Sequence, residues 1–351
     1  MISGLTIGHF RPGHGKTHKS SSNHRASDVA VDQIQADVYS AIVKNAQAKT
    51  EKEWETSGFT PPEIIRNLRA LKSVDAWRSF CHALISLRPT ELALFEEEID
   101  NPKNAESLPC RATLQGRLTG YWANQQRALQ TRFGNPKSHF TSEAKASASD
   151  TELVPGQVTV TFEGGPNPRR TTRILRTLQL EGIHAAFFEP TQSARENPVL
   201  IQRIVAQGHS LGTMGMTRTL LTTLDMKNAE EDISNGQDSL GIISGHTVSL
   251  FRFPYGESTD SLDHYIETRG LHEVPGTLDA QDWKIRDTQA LLESVLKQID
   301  QQQGGIISLR DRNEQTALIL PYLLAEIQKR NLTPVALLAP TQDHPTSVAG
   351  R

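Results

Sequence analysis

The chain has 351 residues, 36% of them hydrophobic and 22% charged, which is typical of a globular protein large enough for two domains. The formal net charge of −3 argues against a nucleic-acid-binding protein, because such proteins usually present a strongly basic face. No apolar run is long enough to cross a bilayer, and residues 1–7 are too short for the apolar region of a signal peptide. We therefore expect no transmembrane segment, and either a cytoplasmic protein or a chain whose numbering begins after a removed signal.

The first part of the chain is predicted to be a leader followed by a small helical domain. Residues 1–27 are basic and rich in His and Ser, which favours a disordered leader over a segment that contacts an anionic surface. Residues 28–133 carry apolar residues at helical spacing and suggest no catalytic chemistry. The two cysteines, Cys81 and Cys110, allow either one disulfide or two buried thiols. The residues expected on buried helix faces are Val31, Ile34, Val38, Ile42, Ile64, Leu68, Leu71, Trp77, Phe80, Cys81, Leu84, Ile85, Leu114, Leu118, Tyr121 and Trp122.

The second half alternates strand-like and helix-like patterns after a linker. Residues 134–156 are rich in Pro, Ser, Ala, Lys and Glu without an apolar period, which predicts a linker. Strand and helix patterns then alternate through 157–340, and 341–351 form a tail. About seven such units predict an α/β fold with a parallel sheet, closed or nearly closed into a barrel whose chemistry lies at the C-terminal strand ends. Strands are predicted at 158–162, 184–188, 249–253, 305–309 and 334–338, and helices at 173–180, 199–205, 288–299 and 316–330.

Short motifs follow one another at the predicted strand ends. They are Thr-Phe-Glu-Gly-Gly-Pro-Asn-Pro at 161–168, Gly-Ile-His-Ala-Ala-Phe-Phe at 182–188, Gln-Gly-His-Ser-Leu-Gly at 207–212, Arg-Phe-Pro-Tyr-Gly at 252–256, Asp-Ala-Gln-Asp-Trp at 279–283 and Gly-Ile-Ile-Ser-Leu-Arg-Asp at 305–311. In content and order this series resembles the polysaccharide deacetylases, the NodB-homology proteins of carbohydrate esterase family 4. The resemblance implies a distorted (β/α) barrel with a carbohydrate-facing groove at its open end. It does not cover the helical region 28–133.

The resemblance also implies which positions should carry the chemistry. In this family one Asp and two His hold a divalent metal, which polarises the acetyl carbonyl and activates water, while a second Asp is the base and another His is the acid. Here the base position is Glu163, the metal Asp position is Gly164, the metal His positions are Met214 and Arg218, and the acid position is Arg310. Gly has no ligand atom, Met is a soft ligand, and Arg keeps its proton near neutral pH. The resemblance therefore implies a degenerate site without its metal cofactor and without its acid.

Two other histidines are the nearest alternative metal ligands. His209 falls where the family has a His outside the site, so we expect a structural role for it. His246 lies in a Gly- and Ser-rich turn and is expected at the surface. We therefore predict no metal at this site.

The polar residues that remain are expected to pair with one another. The resemblance implies that Arg252 pairs with Glu163 and that a carboxylate of the fourth motif, Asp282 or Asp279, faces Arg310. An Arg in place of the acid His keeps a donor for that carboxylate, and a bidentate ion pair can form. Together, Glu163, Arg252 and Asp282 are the expected remnant of the catalytic site.

Arg218 is expected to enter the space of the absent metal and to supply its positive charge. Three guanidinium groups against two carboxylates would leave the pocket slightly positive, which favours an anionic sugar, unless the ion pairs only fill the cavity. Tyr255 and Trp283 are the aromatic residues best placed to stack on a pyranose, although core packing is the alternative for both. With Asp279, they define the expected glycan groove.

Three functions follow from these expectations. The first is a catalytically impaired polysaccharide deacetylase homologue that binds a polysaccharide, an oligosaccharide or a glycan-processing partner. The second is an active deacetylase that hydrolyses N- or O-acetyl groups with Glu163 as base, and the third is an interaction protein that works through its helical domain. The resemblance implies a periplasmic or extracellular location, and the absence of a visible signal keeps the cytoplasm open.

Overall fold

Parallel strands form a curled sheet in the computed structural model, which describes residues 81–100, 108–147 and 153–338. In chain order the strands are β1 (Ala144–Ser147), β2 (Gln157–Glu163), β3 (Ala186–Glu189), β4 (Ser210–Thr213), β5 (Leu250–Phe251), β6 (His272–Glu273), β7 (Leu278–Asp279), β8 (Gly305–Arg310) and β9 (Thr333–Leu338). Neighbours in the order β7–β8–β2–β3–β4–β5–β6 are all parallel, while β9 pairs with the start of β2 and β1 lies outside β9. The predicted (β/α) barrel of the deacetylase type is confirmed.

Helices surround this sheet. They are α1 (Pro89–Leu92), α2 (Glu96–Asp100), α3 (Arg111–Phe133), α4 (Arg170–Glu181), α5 (Thr191–Glu196), α6 (Pro198–Ala206), α7 (Met226–Ser244), α8 (Asp260–Thr268), α9 (Thr288–Gln302) and α10 (Glu314–Lys329), with 3-10 turns at Ala93–Phe95, Leu221–Thr223 and Pro254–Gly256. Asp225 and Asp287 cap α7 and α9 by accepting hydrogen bonds from backbone N–H groups three residues on. As predicted, α4 ends at Gly182, whose φ of 72° is the left-handed conformation that glycine adopts most easily. Within the described part of the chain, no helix is both long and apolar enough to cross a bilayer.

The third strand begins later than predicted. It starts at Ala186 rather than at His184. The backbone N–H of His184 donates to Glu143 (2.7 Å) and that of Ala185 donates to the ring of His209 (3.2 Å). The N–H groups of these two residues therefore bond to side chains instead of the neighbouring strand, which an apolar pattern cannot indicate.

The described part of the helical region packs directly on the barrel. Four side chains of α3 are buried in the same hydrophobic cluster as residues of α9 and α10, namely Leu114, Leu118, Trp122 and Leu129. Cys81 and Cys110 form a disulfide, so the disulfide alternative is the one the structure contains. Ile85 was expected on a buried face but is 38% exposed, so that prediction is wrong. The predicted helix-face residues from Val31 to Phe80 lie outside the described residues, and the domain limits at 27, 133, 156 and 340 stay a prediction.

The segment predicted to be a linker contains a strand. Residues 144–147 of the predicted linker 134–156 form β1, which pairs in parallel register with β9 from Ala144 opposite Val335 to Ser147 opposite Leu338. Small and polar side chains give this strand no apolar period. Because the pairing is made by backbone groups, the composition did not predict it.

Candidate functional site

Glu163 lies at the C-terminal end of β2, in the position predicted for the base. The parallel register of β2 and β8 places Thr161 beside Ser308 and Glu163 beside Arg310. The Ser308 hydroxyl donates to Glu163 Oε2 at 3.0 Å, and Arg252 Nη1 donates to the same oxygen at 3.3 Å. Side chains from β8 and from the residue after β5 thus meet at one carboxylate of β2 that is only 9% exposed.

Arg252 is held rigidly beneath this carboxylate. It is 4% exposed, and its Nε donates to the carbonyl of Val274 at 2.8 Å. Its Nη1 also donates to the hydroxyl of Thr161 at 2.9 Å, and its guanidinium lies 4.2 Å from the ring centroid of Phe188. The expected pair between Arg252 and Glu163 is therefore present and fixed on several sides.

Two further arginines reach the same carboxylate. Arg310 Nη2 lies 3.7 Å and Arg218 Nη2 lies 3.9 Å from Glu163 Oε1. Burial alone would raise the pKa of Glu163, but Arg310, Arg252 and Arg218, with the hydrogen bond from Ser308, together lower that pKa below its usual range. Glu163 is therefore ionised near neutral pH and is a weak base.

Arg218 lies against Gly164, where the family has a metal-binding Asp. A Cβ on Gly164 would lie 3.6 Å from Nε of Arg218, and Gly164 has a φ of 79°. The Arg218 guanidinium lies 5.2 Å from the ring centroid of Tyr255, whose hydroxyl donates to the Arg218 carbonyl at 3.3 Å. A side chain that carries a fixed positive charge thus occupies the space beside the metal Asp position.

The residues at the family's metal positions do not fit a divalent metal. Met214 is fully buried in an apolar cluster with Phe188 and Leu250, Gly164 offers no donor atom, and Arg218 is a cation. Among the residues that the structure describes, no three His, Cys, Asp or Glu side chains are grouped so that they could hold a metal ion.

The two alternative histidines lie away from the site. His209 is 6% exposed and packs between the rings of His184 and Phe187, and burial lowers its pKa to about 4. His246 is exposed just beyond α7. Neither histidine contacts Glu163.

Asp282, rather than Asp279, pairs with Arg310. The Arg310 backbone N–H and Nη1 donate to the two Asp282 oxygens at 2.7 and 3.2 Å, and Thr316 also donates to this carboxylate. Burial raises the pKa of Asp282. The interactions with Arg310 and Thr316 lower this pKa, but by less than burial raises it. Asp279 is exposed, and its carboxylate accepts from the backbone N–H of Gln281.

An open cavity of about 430 Å³ extends outward from Glu163. Tyr255, Trp283 and Asp279, the three residues of the predicted glycan groove, all line this cavity. Trp283 is half-buried, and the Arg310 guanidinium lies 5.9 Å from its ring centroid. Three acidic side chains also line the cavity, Glu257, Glu273 and Asp279.

The acidic lining does not support the expected electropositive pocket. With Glu163 and Asp282, the three acidic side chains at the cavity wall make five carboxylates around the three arginines. Glu257 and Glu273 lie outside the motifs, so the charges of the motifs alone did not indicate an acidic wall.

Sequence reasoning also missed a buried carboxyl pair beneath the site. Glu189 ends β3 and Asp311 follows β8, and both carboxyl groups are fully buried and close enough to interact electrostatically. Burial and repulsion from Asp311 raise the pKa of Glu189 well above its usual range, and burial raises that of Asp311 to about 7. The Asp311 carboxyl also accepts from Thr171 and fills the space where Gly165 would carry a Cβ. Asp311 belongs to the fifth motif, so the sequence marks its position at a strand end. No motif indicates that Glu189 lies beside it.

Comparison with known proteins gives a consistent picture. The sequence profile of the polysaccharide deacetylases matches residues 151–274. The chain is 30% identical over 155 residues to a chitooligosaccharide deacetylase of Sinorhizobium fredii, which covers 44% of this chain and 71% of that protein. Against two peptidoglycan deacetylases that it also matches, the chain spans only 34% and 56% of their length.

Two solved structures share the fold. A peptidoglycan deacetylase of Bdellovibrio bacteriovorus superposes with a TM-score of 0.73 at 24% identity, over 91% of this chain and 96% of that one. A pseudoenzyme of carbohydrate esterase family 4 from Bacillus anthracis superposes with a TM-score of 0.50 at 19% identity, over 52% of this chain and 64% of that one. The Bdellovibrio match extends well beyond the motif-bearing barrel.

Proposed function

Because this chain belongs to the polysaccharide deacetylase family, we propose that it is a catalytically impaired member that binds a glycan in the cavity beside Glu163. The observation that carries the proposal is the Arg218 guanidinium, which lies against Gly164 and within 3.9 Å of Glu163. A cation in that space repels a metal ion and stands in for its charge towards Glu163. The carboxylate and its surroundings stay folded while the Lewis acid is lost.

The chemistry of deacetylation supports this proposal. Hydrolysis of an acetyl group needs a polarised carbonyl, an activated water and an acid for the leaving group, and a divalent metal supplies the first two. Arg310 stands at the acid position, and a guanidinium does not transfer protons near neutral pH. Glu163 is ionised, but its lowered pKa makes it a poor proton acceptor.

The cavity suits a neutral, N-acetylated glycan. Trp283 and Tyr255 offer aromatic faces for a pyranose, and the carboxylates of Glu257 and Asp279 can accept hydrogen bonds from sugar hydroxyls. The acidic lining disfavours the anionic sugar that the motif charges suggested. Relatives named as chitooligosaccharide and peptidoglycan deacetylases support an N-acetylated polymer as the ligand, and we propose that the chain works at the cell wall or on an exported polysaccharide.

The first experiment joins three measurements on one preparation of the full chain: metal content, acetate release from chitopentaose, and chitopentaose binding by calorimetry. We expect no stoichiometric metal, no acetate, and saturable binding. About one equivalent of metal with acetate release would overturn the proposal in favour of an active deacetylase with Glu163 as base. Absence of binding to chitopentaose and to soluble peptidoglycan fragments would also overturn it, and an interaction role for the helical region would then be the leading alternative.

A substitution in the cavity locates the binding site. Trp283→Ala should weaken chitopentaose binding about tenfold, because an aromatic stack on a ligand contributes roughly 1–2 kcal/mol. Trp283→Phe is the matched control, since it keeps an aromatic face and should bind within about threefold of the natural chain. Equal affinities for Trp283→Ala and the natural chain would place the glycan elsewhere.

A further inference from the structure

Two residues of the candidate site are carried by the segment 280–288, which joins β7 to α9. Asp282 pairs with Arg310, and Trp283 lines the cavity. Within this segment, Arg286 Nη2 donates to the carbonyl of Trp283 at 2.8 Å and Nη1 donates to that of Asp282 at 3.4 Å. Arg286 therefore holds the backbone that presents both side chains.

Helix α3, from the region before the barrel, contacts this segment at two points. The Tyr121 hydroxyl donates to the carbonyl of Arg286 at 2.9 Å. The Gln125 side-chain oxygen accepts from the backbone N–H of Thr288 at 2.7 Å and from the Thr288 hydroxyl at 2.9 Å. Both side chains are half-buried, and burial raises the pKa of Tyr121 to about 12, so its hydroxyl remains a donor.

The same helical region contacts the loop on the other side of Glu163. Arg169 precedes α4 and Arg170 begins it, directly after the loop that carries Gly164. Arg170 Nη2 lies 2.8 Å from Glu96 and Arg169 Nη2 lies 3.1 Å from Asp100, both on α2. The helical region thus holds the segments on both sides of the candidate site.

We infer that Tyr121 and Gln125 are positioning residues of the candidate site, which set the place of Asp282 and Trp283 through the segment 280–288. The expected effect on glycan binding rests on the proposed function, whereas the positioning of the segment 280–288 does not. The helical region is then a working part of the glycan site. The part of the cavity that Trp283 lines is then positioned by residues that the family motifs do not include.

The test uses the full chain with two single substitutions, Tyr121→Phe and Gln125→Ala. Hydrogen–deuterium exchange should show amides of 280–288 exchanging about fivefold faster in each, the factor expected when one hydrogen bond that restrains a segment is lost. Exchange in β2, β8 and the core of α3 should not change. Chitopentaose binding should weaken about threefold to tenfold, while both variants stay folded at the assay temperature.

Matched controls separate positioning from general loosening of the fold. Tyr322→Phe removes a hydroxyl from another tyrosine, on α10, whose ring packs 6.4 Å from that of Phe133 at the end of α3. Gln130→Ala removes an exposed amide of α3 that donates only to Asn135. Neither control should change exchange in 280–288 or chitopentaose affinity.

The outcomes for the inference and for the proposed function can be told apart. Unchanged exchange of 280–288 in both variants overturns the positioning role, whatever the natural chain binds. Faster local exchange in a chain that binds no chitopentaose or peptidoglycan fragment supports the positioning role and overturns the glycan function. Equal acceleration across the whole protein would show a structural role only and overturn the inference.

Discussion

A Cβ on Gly164 would lie 3.6 Å from Nε of Arg218, so the position where the family carries a metal-binding carboxylate faces a guanidinium. A carboxylate introduced at Gly164 would contact the guanidinium of Arg218. Arg218 Nη2 also lies 3.9 Å from Glu163 Oε1, whatever residue stands at 164. A single substitution at either position should therefore not create a metal site.

Creating a metal site should require substitutions at all three predicted metal positions together. Gly164→Asp alone should leave the protein without stoichiometric zinc, because the new carboxylate pairs with Arg218. Gly164→Asp with Met214→His and Arg218→His supplies three ligands of the kind that zinc prefers and should take up about one equivalent. Zinc analysis after dialysis measures both. Stoichiometric zinc in the single variant would show that Arg218 does not block the site.

Removal of the central carboxylate should destabilise the fold strongly. Glu163→Gln leaves Arg252, Arg218 and Arg310 without their shared negative charge, and breaking a buried pair in this way costs about 3–5 kcal/mol of unfolding free energy. The control is Glu293→Gln, which breaks the exposed pair with Arg132 at 3.3 Å and should cost less than about 1 kcal/mol. Urea unfolding measures both, and equal losses would contradict the central role of Glu163.

Glu163 also predicts a direction of pH dependence. Its folded-state pKa is lowered, so its contribution to stability is fully present above the unfolded pKa of about 4.5 and is lost as pH falls through the folded value. The stability difference between the natural chain and Glu163→Gln should therefore shrink below about pH 4.5. Urea unfolding from pH 7 to pH 3 tests this, and a constant difference would contradict it.

The buried carboxyl pair of Glu189 and Asp311 should make the free energy of unfolding depend on pH in the opposite direction. The folded-state pKa of Asp311 is raised to about 7 from 3.8 and that of Glu189 is raised as well, so the folded chain binds more protons than the unfolded chain in this window. The free energy of unfolding should therefore fall as pH rises from about 4 to about 7. Glu189→Gln removes one of the two carboxyl groups whose pKa is raised and should flatten this slope. Glu293→Gln, at an exposed carboxylate of α9, is the control and should leave the slope unchanged.

Loss of Arg170, which links α4 to α2, should destabilise the protein more than loss of an exposed arginine. Arg170 is 2% exposed and lies 2.8 Å from Glu96 and 3.3 Å from Glu314. Arg170→Ala leaves both carboxylates buried with less positive charge and should cost about 3–5 kcal/mol. Arg88→Ala breaks a pair whose arginine is 68% exposed and should change stability by less than about 1 kcal/mol. Chemical denaturation compares them, and similar costs would show that α2 is held mainly by apolar contacts.

The amino-acid sequence by itself determined the barrel and most of the residues around Glu163. Both depend on local signals: apolar periods define strands and helices, and short motifs mark the strand ends that a parallel barrel brings together. The motifs therefore predicted that Arg252, Arg218, Arg310 and Asp282 lie close to Glu163 or to one another, and the structure contains these contacts. The cavity side chains Tyr255, Trp283 and Asp279 followed from the same motifs.

Only the tertiary structure decided which distant residues complete the site. Ser308 bonds Glu163 across 145 residues and Tyr121 bonds Arg286 across 165, and no local period records a contact of that separation. The same holds for Glu189 with Asp311, for β1 beside β9, and for the choice between disulfide and thiols at Cys81 and Cys110. These contacts depend on strand order and on how helices dock, because such packing is set by the whole chain and not by any one segment.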